Sequence, residues 1–178
     1  MVSNYANSVA TLDSMANNQL DAILLCGDYT GGGNTVQATT YASASKAILD
    51  AINSGKADAD KTKFFMTYGN HDTEWSGCLS YDGWEEILGN YGLLDHIEYG
   101  PDDSGSYSGK IVKGGKTYYI FSVETATYNN PSNTFRTDVL EWLDNGLKAA
   151  TTANPNAYVY VISHAPIKES GVYGADMD

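Results

Sequence analysis

Lys63-Phe64-Phe65-Met66-Thr67-Tyr68-Gly69-Asn70-His71-Asp72 is the stretch whose reading decides the fold of this chain. Its apolar run, Phe64-Phe65-Met66, is continuous rather than alternating, which is the pattern of a strand covered on both faces in an α/β sheet. Gly69 ends the run. Asn70, His71 and Asp72 then follow in a loop, where three polar side chains in succession suit a site better than a core. Gly and Asn are also common turn formers, so the tetrapeptide needs support from elsewhere in the chain.

Two other apolar runs close in the same way. Ala22-Ile23-Leu24-Leu25-Cys26 leads into Gly27-Asp28, and Tyr158-Val159-Tyr160-Val161-Ile162 leads into Ser163-His164-Ala165-Pro166. Helical spacing fills the intervals. Val2, Tyr5, Val9, Leu12 and Met15 predict a helix within residues 1–18, and Val36, Tyr41, Ala44, Ile48 and Ile52 predict a second, stopped by Asn53-Ser54-Gly55. Residues 73–105 read as irregular, with one short helix around Trp84–Leu88. Tyr107–Val112 and Lys116–Val123 flank Lys113-Gly114-Gly115, a hairpin signal. Phe135, Val139, Trp142, Leu143 and Leu147 mark a last helix from about residue 136 to 150. Strands and helices alternate at both ends around a hairpin. That order predicts one α/β domain over residues 1–178 with a partly parallel sheet.

Composition narrows the function classes. A chain of 178 residues that is 42% hydrophobic and 18% charged is long enough for a buried core and is not disordered. No run approaches the ~18 apolar residues of a spanning helix. A net charge of −12 argues against a nucleic-acid groove, which demands basic surface. It leaves room for a small phosphorylated substrate, because a bound metal reverses the local sign. Tyrosine is abundant (14) and Lys and Arg are few, a surface compatible with a secreted or cell-surface bacterial protein. The two cysteines, Cys26 and Cys78, form no metal clip or disulfide framework, and Cys26 is expected to be a small buried hydrophobe.

The strand ends carry the chemistry. In parallel α/β sheets, ligands gather beyond the carboxyl ends of the strands. Asp28, Asn70 with His71, and His164 all fall there, far apart in sequence. Carboxylate, amide oxygen and imidazole suit a hard or borderline divalent cation such as Mn, Fe or Zn. Asp72 stands beside His71 and is placed to orient its ring. Each residue also has an ordinary structural reading: Asp28 as a cap, Asn70 at a left-handed turn position, His164 as a satisfied loop histidine. Three such coincidences at three strand ends are what favour a site.

Gly27-Asp28, then Gly69-Asn70-His71-Asp72, then His164 in Val161-Ile162-Ser163-His164-Ala165-Pro166 resemble the calcineurin-like metallophosphoesterases over nearly the whole chain. The helix Thr137–Leu143 resembles the segment that leads to that family's last strand. The resemblance implies a two-sheet sandwich with α-β-β-α layers and mixed sheets, and hydrolysis of phosphate esters at a pair of divalent metals. It implies that Asp28 bridges the metals and that Asn70 and His164 ligate the second of them. It further implies that His71 acts on the transition state or leaving oxygen, with Asp72 holding its ring. Substrates would be small phosphate esters or phosphoproteins.

The chain departs from the pattern at both ends. No Asp-x-His precedes Asp28, and no Gly-His-x-His follows His164. The expectation is therefore a truncated domain that binds metal poorly, shows weak or no activity alone, and self-associates through exposed sheet. The alternative is a non-catalytic binding module of a secreted or cell-surface protein. An esterase of the SGNH type lacks its serine, since Tyr29 follows Gly27-Asp28. Gly31 stands where purple-acid-type members carry a tyrosine ligand. His96 matches no motif and reads as a surface loop residue, and Lys168 lies near His164 in sequence.

Overall fold

The computed structural model describes residues 2–17, 19–125 and 135–165. Lys168 lies outside them. The chain begins with helix α1 (Val2–Met15), strand β1 (Ala22–Cys26) and helix α2 (Thr35–Asn53). Strand β2 (Lys63–Thr67) follows, then the one-turn helix α3 (Asn70–Thr73) and helix α4 (Tyr81–Asn90). Strands β3 (Ile97–Tyr99), β4 (Tyr107–Lys113) and β5 (Lys116–Ser122) precede helix α5 (Thr137–Ala153) and strand β6 (Tyr158–Ile162).

Two sheets result. β1 and β2 pair in parallel, with Leu24 opposite Phe65. The second sheet has the order β3-β4-β5-β6 and is mixed, because β3-β4-β5 is antiparallel while β5 and β6 are parallel. Phe65 points from the first sheet into a core with Tyr107, Ile120 and Ile162 of the second. The opposite face of β1 and β2 carries Ile23, Phe64 and Met66 against α1, α2 and α4, through Val9, Ala38, Tyr41, Trp84 and Leu88. On the far side, Trp142 of α5 meets Phe121 edge-on at 5.8 Å. The layers are therefore α-β-β-α, as the family resemblance implies.

Coverage of the first sheet is uneven. β2 is buried from Phe64 to Thr67, as its continuous apolar run predicts. β1 departs from expectation, since only Ile23 is buried and Cys26 is exposed. The reason is topological: among the described residues β1 is hydrogen-bonded along one edge alone. A cleft of about 330 Å³ opens beside it, lined by Leu24, Ile111, Tyr118, Ile120 and Tyr160.

Among the described residues β2 also has one strand neighbour, yet its second edge is closed by side chains. The Tyr107 hydroxyl accepts from Met66 N–H and donates to Met66 C=O, both at 2.6 Å, and Ser122 Oγ donates to the same carbonyl at 2.9 Å. His96 Nε2 lies 2.7 Å from the Phe64 carbonyl, an acceptor only, so this nitrogen carries the proton. The ring stands edge-on to Phe65 at 4.9 Å. His96 is thus half-buried against the sheet rather than a surface loop residue, and burial lowers its pKa. Side chains here do what a third strand would otherwise do for β2.

Candidate metal and phosphoester site

The site lies where β1, β2 and β6 end. After β1 the backbone turns through two left-handed residues, Gly27 (φ 85°) and Asp28 (φ 58°). The first is a glycine because the space is closed, since a Cβ on Gly27 would run into the His164 ring and the Gly69 backbone. The second is unusual for a residue with a side chain, and such outliers gather at functional positions. The turn leaves the Asp28 carboxylate about two-fifths exposed, with Oδ1 taking a hydrogen bond from His71 N–H at 3.2 Å. A Cβ on Gly69 would collide with that carboxylate, so both glycines are set by the approach of the two loops.

After β2 the tetrapeptide is helical, not a loop as its composition suggests. Gly69 is the N-cap, and Asn70-His71-Asp72-Thr73 make one turn. That turn separates its side chains by direction. Asn70 faces the ends of β1 and β6. His71 lies on the outer side, its ring tilted against Trp75 at 4.9 Å. Asp72 points inward and is fully buried.

The Asp72 carboxylate accepts four hydrogen bonds: from Gly69 N–H (2.9 Å), Tyr29 N–H (3.3 Å), Thr30 N–H (3.0 Å) and Thr30 Oγ1 (2.8 Å). It ties the β1 loop to the β2 loop and is not hydrogen-bonded to the His71 ring. The expected pairing of Asp72 with His71 is corrected here, because consecutive helical residues diverge by about 100°. Burial pushes its pKa up, and the amide and hydroxyl donors pull it part of the way back. Trp84 of α4 fixes the same turn by donating its indole N–H to the Asp72 carbonyl at 3.0 Å.

After β6, His164 completes the group. Its Nδ1 lies 2.8 Å from the Cys26 carbonyl and therefore donates, leaving the Nε2 lone pair directed inward. Nε2 is 3.1 Å from Asn70 Oδ1 and 3.5 Å from Asp28 Oδ1. Two oxygens thus lie close to the Nε2 lone pair, and a positive charge there, a proton on Nε2 or a metal ion, relieves the repulsion. Metal–donor bonds of about 2.0–2.2 Å put neighbouring donors about 3.0–3.5 Å apart, so the spacing fits a divalent cation. Among the described residues no three His, Cys, Asp or Glu side chains gather closely enough to hold an ion, and the trio counts only because Asn70 is its third member. A histidine oriented by a backbone carbonyl through its second nitrogen is the usual arrangement of a metal-ligating imidazole.

One nearby group has no counterpart in the sequence reading. Glu74 lies four residues after Asn70, with its N–H bonded to the Asn70 carbonyl at 3.0 Å. Burial raises its pKa, while His164 and His71 lower it and Asp28 raises it. The signal available in the sequence was its spacing from Asn70, since helical i and i+4 positions share a face.

A two-sheet α-β-β-α sandwich with Asp, Asn and His converging at three strand ends has the architecture of metallophosphoesterases. The chain belongs to the calcineurin-like phosphoesterase family, whose model matches residues 1–177. No curated protein matches it.

Proposed function

We propose that this chain is a metal-dependent phosphate-ester hydrolase in which Asp28, Asn70 and His164 hold a divalent cation, Mn, Fe or Zn. The observation that carries the reading is the 3.1 and 3.5 Å convergence of His164 Nε2 with Asn70 Oδ1 and Asp28 Oδ1. A divalent cation at this position supplies Lewis acidity toward a phosphoryl oxygen and lowers the pKa of water toward ~7.

The protein's own groups divide the remaining work. Asp28 contributes its negative charge and is held in register by His71 N–H. The Cys26 carbonyl fixes the His164 tautomer. The His71 imidazole, on the outer side of α3 and free of hydrogen bonds to its ring nitrogens among the described residues, is available to protonate a leaving oxygen. Asp72 holds both loops so that these groups keep their spacing. Substrates are small phosphate esters or phosphoproteins, in keeping with a strongly acidic surface that repels nucleic acid.

With three protein donors among the described residues, the expected cation binding is weak and turnover slow. Calorimetric titration with Mn²⁺ and hydrolysis of a chromogenic phosphate ester test this together. One weak equivalent of Mn²⁺, lost in H164A and D28N, is the expected result. Wild-type uptake unchanged by both substitutions would overturn the assignment. Two tight equivalents with rapid turnover would overturn the claim of weak activity.

A further inference from the structure

We propose that Glu74 is a fourth group of the cation position, engaging it through water on the face of α3 that also presents Asn70. The inference rests on the Asp28, Asn70 and His164 assignment above and extends it to a residue that none of the family's motifs in this chain includes. Three observations support it. Glu74 follows Asn70 by four residues and is tied to its carbonyl, so the helical turn carries its side chain along the same face. Its Oε1 is buried and meets no hydrogen-bond donor among the described residues, and a buried carboxylate oxygen demands a donor or a cation. The charged groups that act on this carboxylate are His164, Asp28 and His71, which are the groups of the site itself.

Water-mediated rather than direct engagement follows from distance. Among the described residues no three His, Cys, Asp or Glu side chains come close enough to ligate one ion, so Asp28, His164 and Glu74 do not share a direct shell. A carboxylate one layer out accepts hydrogen bonds from water polarised by the cation and raises the negative potential there. Loss of such a partner costs about 10- to 100-fold in metal affinity.

The test titrates Mn²⁺ calorimetrically into wild type, E74Q, E74D and H164A, with thermal melts of each metal-free protein. E74Q keeps the shape and removes the charge. It is expected to weaken Mn²⁺ binding about 10-fold with an unchanged or raised melting temperature, since a buried charge has gone. E74D, which retains the charge on a shorter arm, is expected to fall between the two and serves as the deciding variant if E74Q fails to fold. Affinities of E74Q and E74D within about twofold of wild type, with H164A inert, would overturn the role of Glu74 and leave the cation site standing. A wild-type protein that takes up no Mn²⁺ would overturn both.

Discussion

Burial of the Asp72 carboxylate is unfavourable by itself, and the four hydrogen bonds from Gly69, Tyr29 and Thr30 offset it. Asparagine at this position would turn an amide N–H₂ toward groups that are themselves donors. D72N is expected to lower stability by about 2–3 kcal/mol in urea unfolding, the cost of leaving buried donors unsatisfied. It should also weaken Mn²⁺ binding, although Asp72 is not among the proposed ligands. H71A should behave in the opposite way, leaving Mn²⁺ affinity within about twofold while reducing phosphoester turnover about 10²-fold, the usual scale for a lost general acid. At this scale the sequence showed which residue types converge: Asp28, Asn70 and His164 are within reach of one another in space, as three strand ends suggest. It misassigned the partner of Asp72 because adjacency along a chain says nothing of direction once the segment is helical. Glu74 was missed for the same reason, since its tie to Asn70 exists only if α3 is a helix.

The elements were legible in proportion to their length. Both long amphipathic helices, α5, the hairpin and the three site-bearing strands fall where periodicity places them, within a few residues at the ends. β3 was not found, because Ile97-Glu98-Tyr99 is too short to establish alternation. α3 was not found either, because one turn beginning Gly-Asn has the composition of a loop. The side-chain closure of the β2 edge could not be read at all, since it joins Phe64 and Met66 to His96, Tyr107 and Ser122 across two sheets. That closure makes a prediction about the element rather than the site. Y107F removes the hydroxyl that serves both Met66 groups and leaves Met66 N–H buried without a partner. The expected cost is about 1–3 kcal/mol, measured by urea unfolding, with Mn²⁺ affinity unchanged.

Over the whole molecule the excess of acid shapes the response to pH. Burial, then Asp82 and Asp103, push the Glu85 pKa from 4.5 up to about 7. Between those values the folded protein holds a proton that the unfolded chain has released, so stability falls as pH rises through that window. Glu85 is half-exposed, so solvent screening reduces the effect to about 1 kcal/mol. E85Q should therefore lose less stability than wild type between pH 5 and pH 8, as urea unfolding at both values will show. The edge of β1 that is unpaired among the described residues, and Tyr158, Tyr160 and Val161 exposed on β6, lead us to propose self-association. Sedimentation that returns a single monomeric species at high concentration would count against it.

The bond between His164 and the Cys26 carbonyl spans 138 residues and joins the end of the four-stranded sheet to the end of the two-stranded one. Asp28 and Asn70 follow strands of the smaller sheet and His164 follows a strand of the larger, so an ion held among them, as proposed, would be a removable rivet across the seam. Its binding free energy is then also energy that resists the parting of the layers, about 2.7 kcal/mol when free Mn²⁺ stands at 100 times its dissociation constant. Chelation of such an ion would withdraw that contribution and lower the melting temperature of the loaded protein.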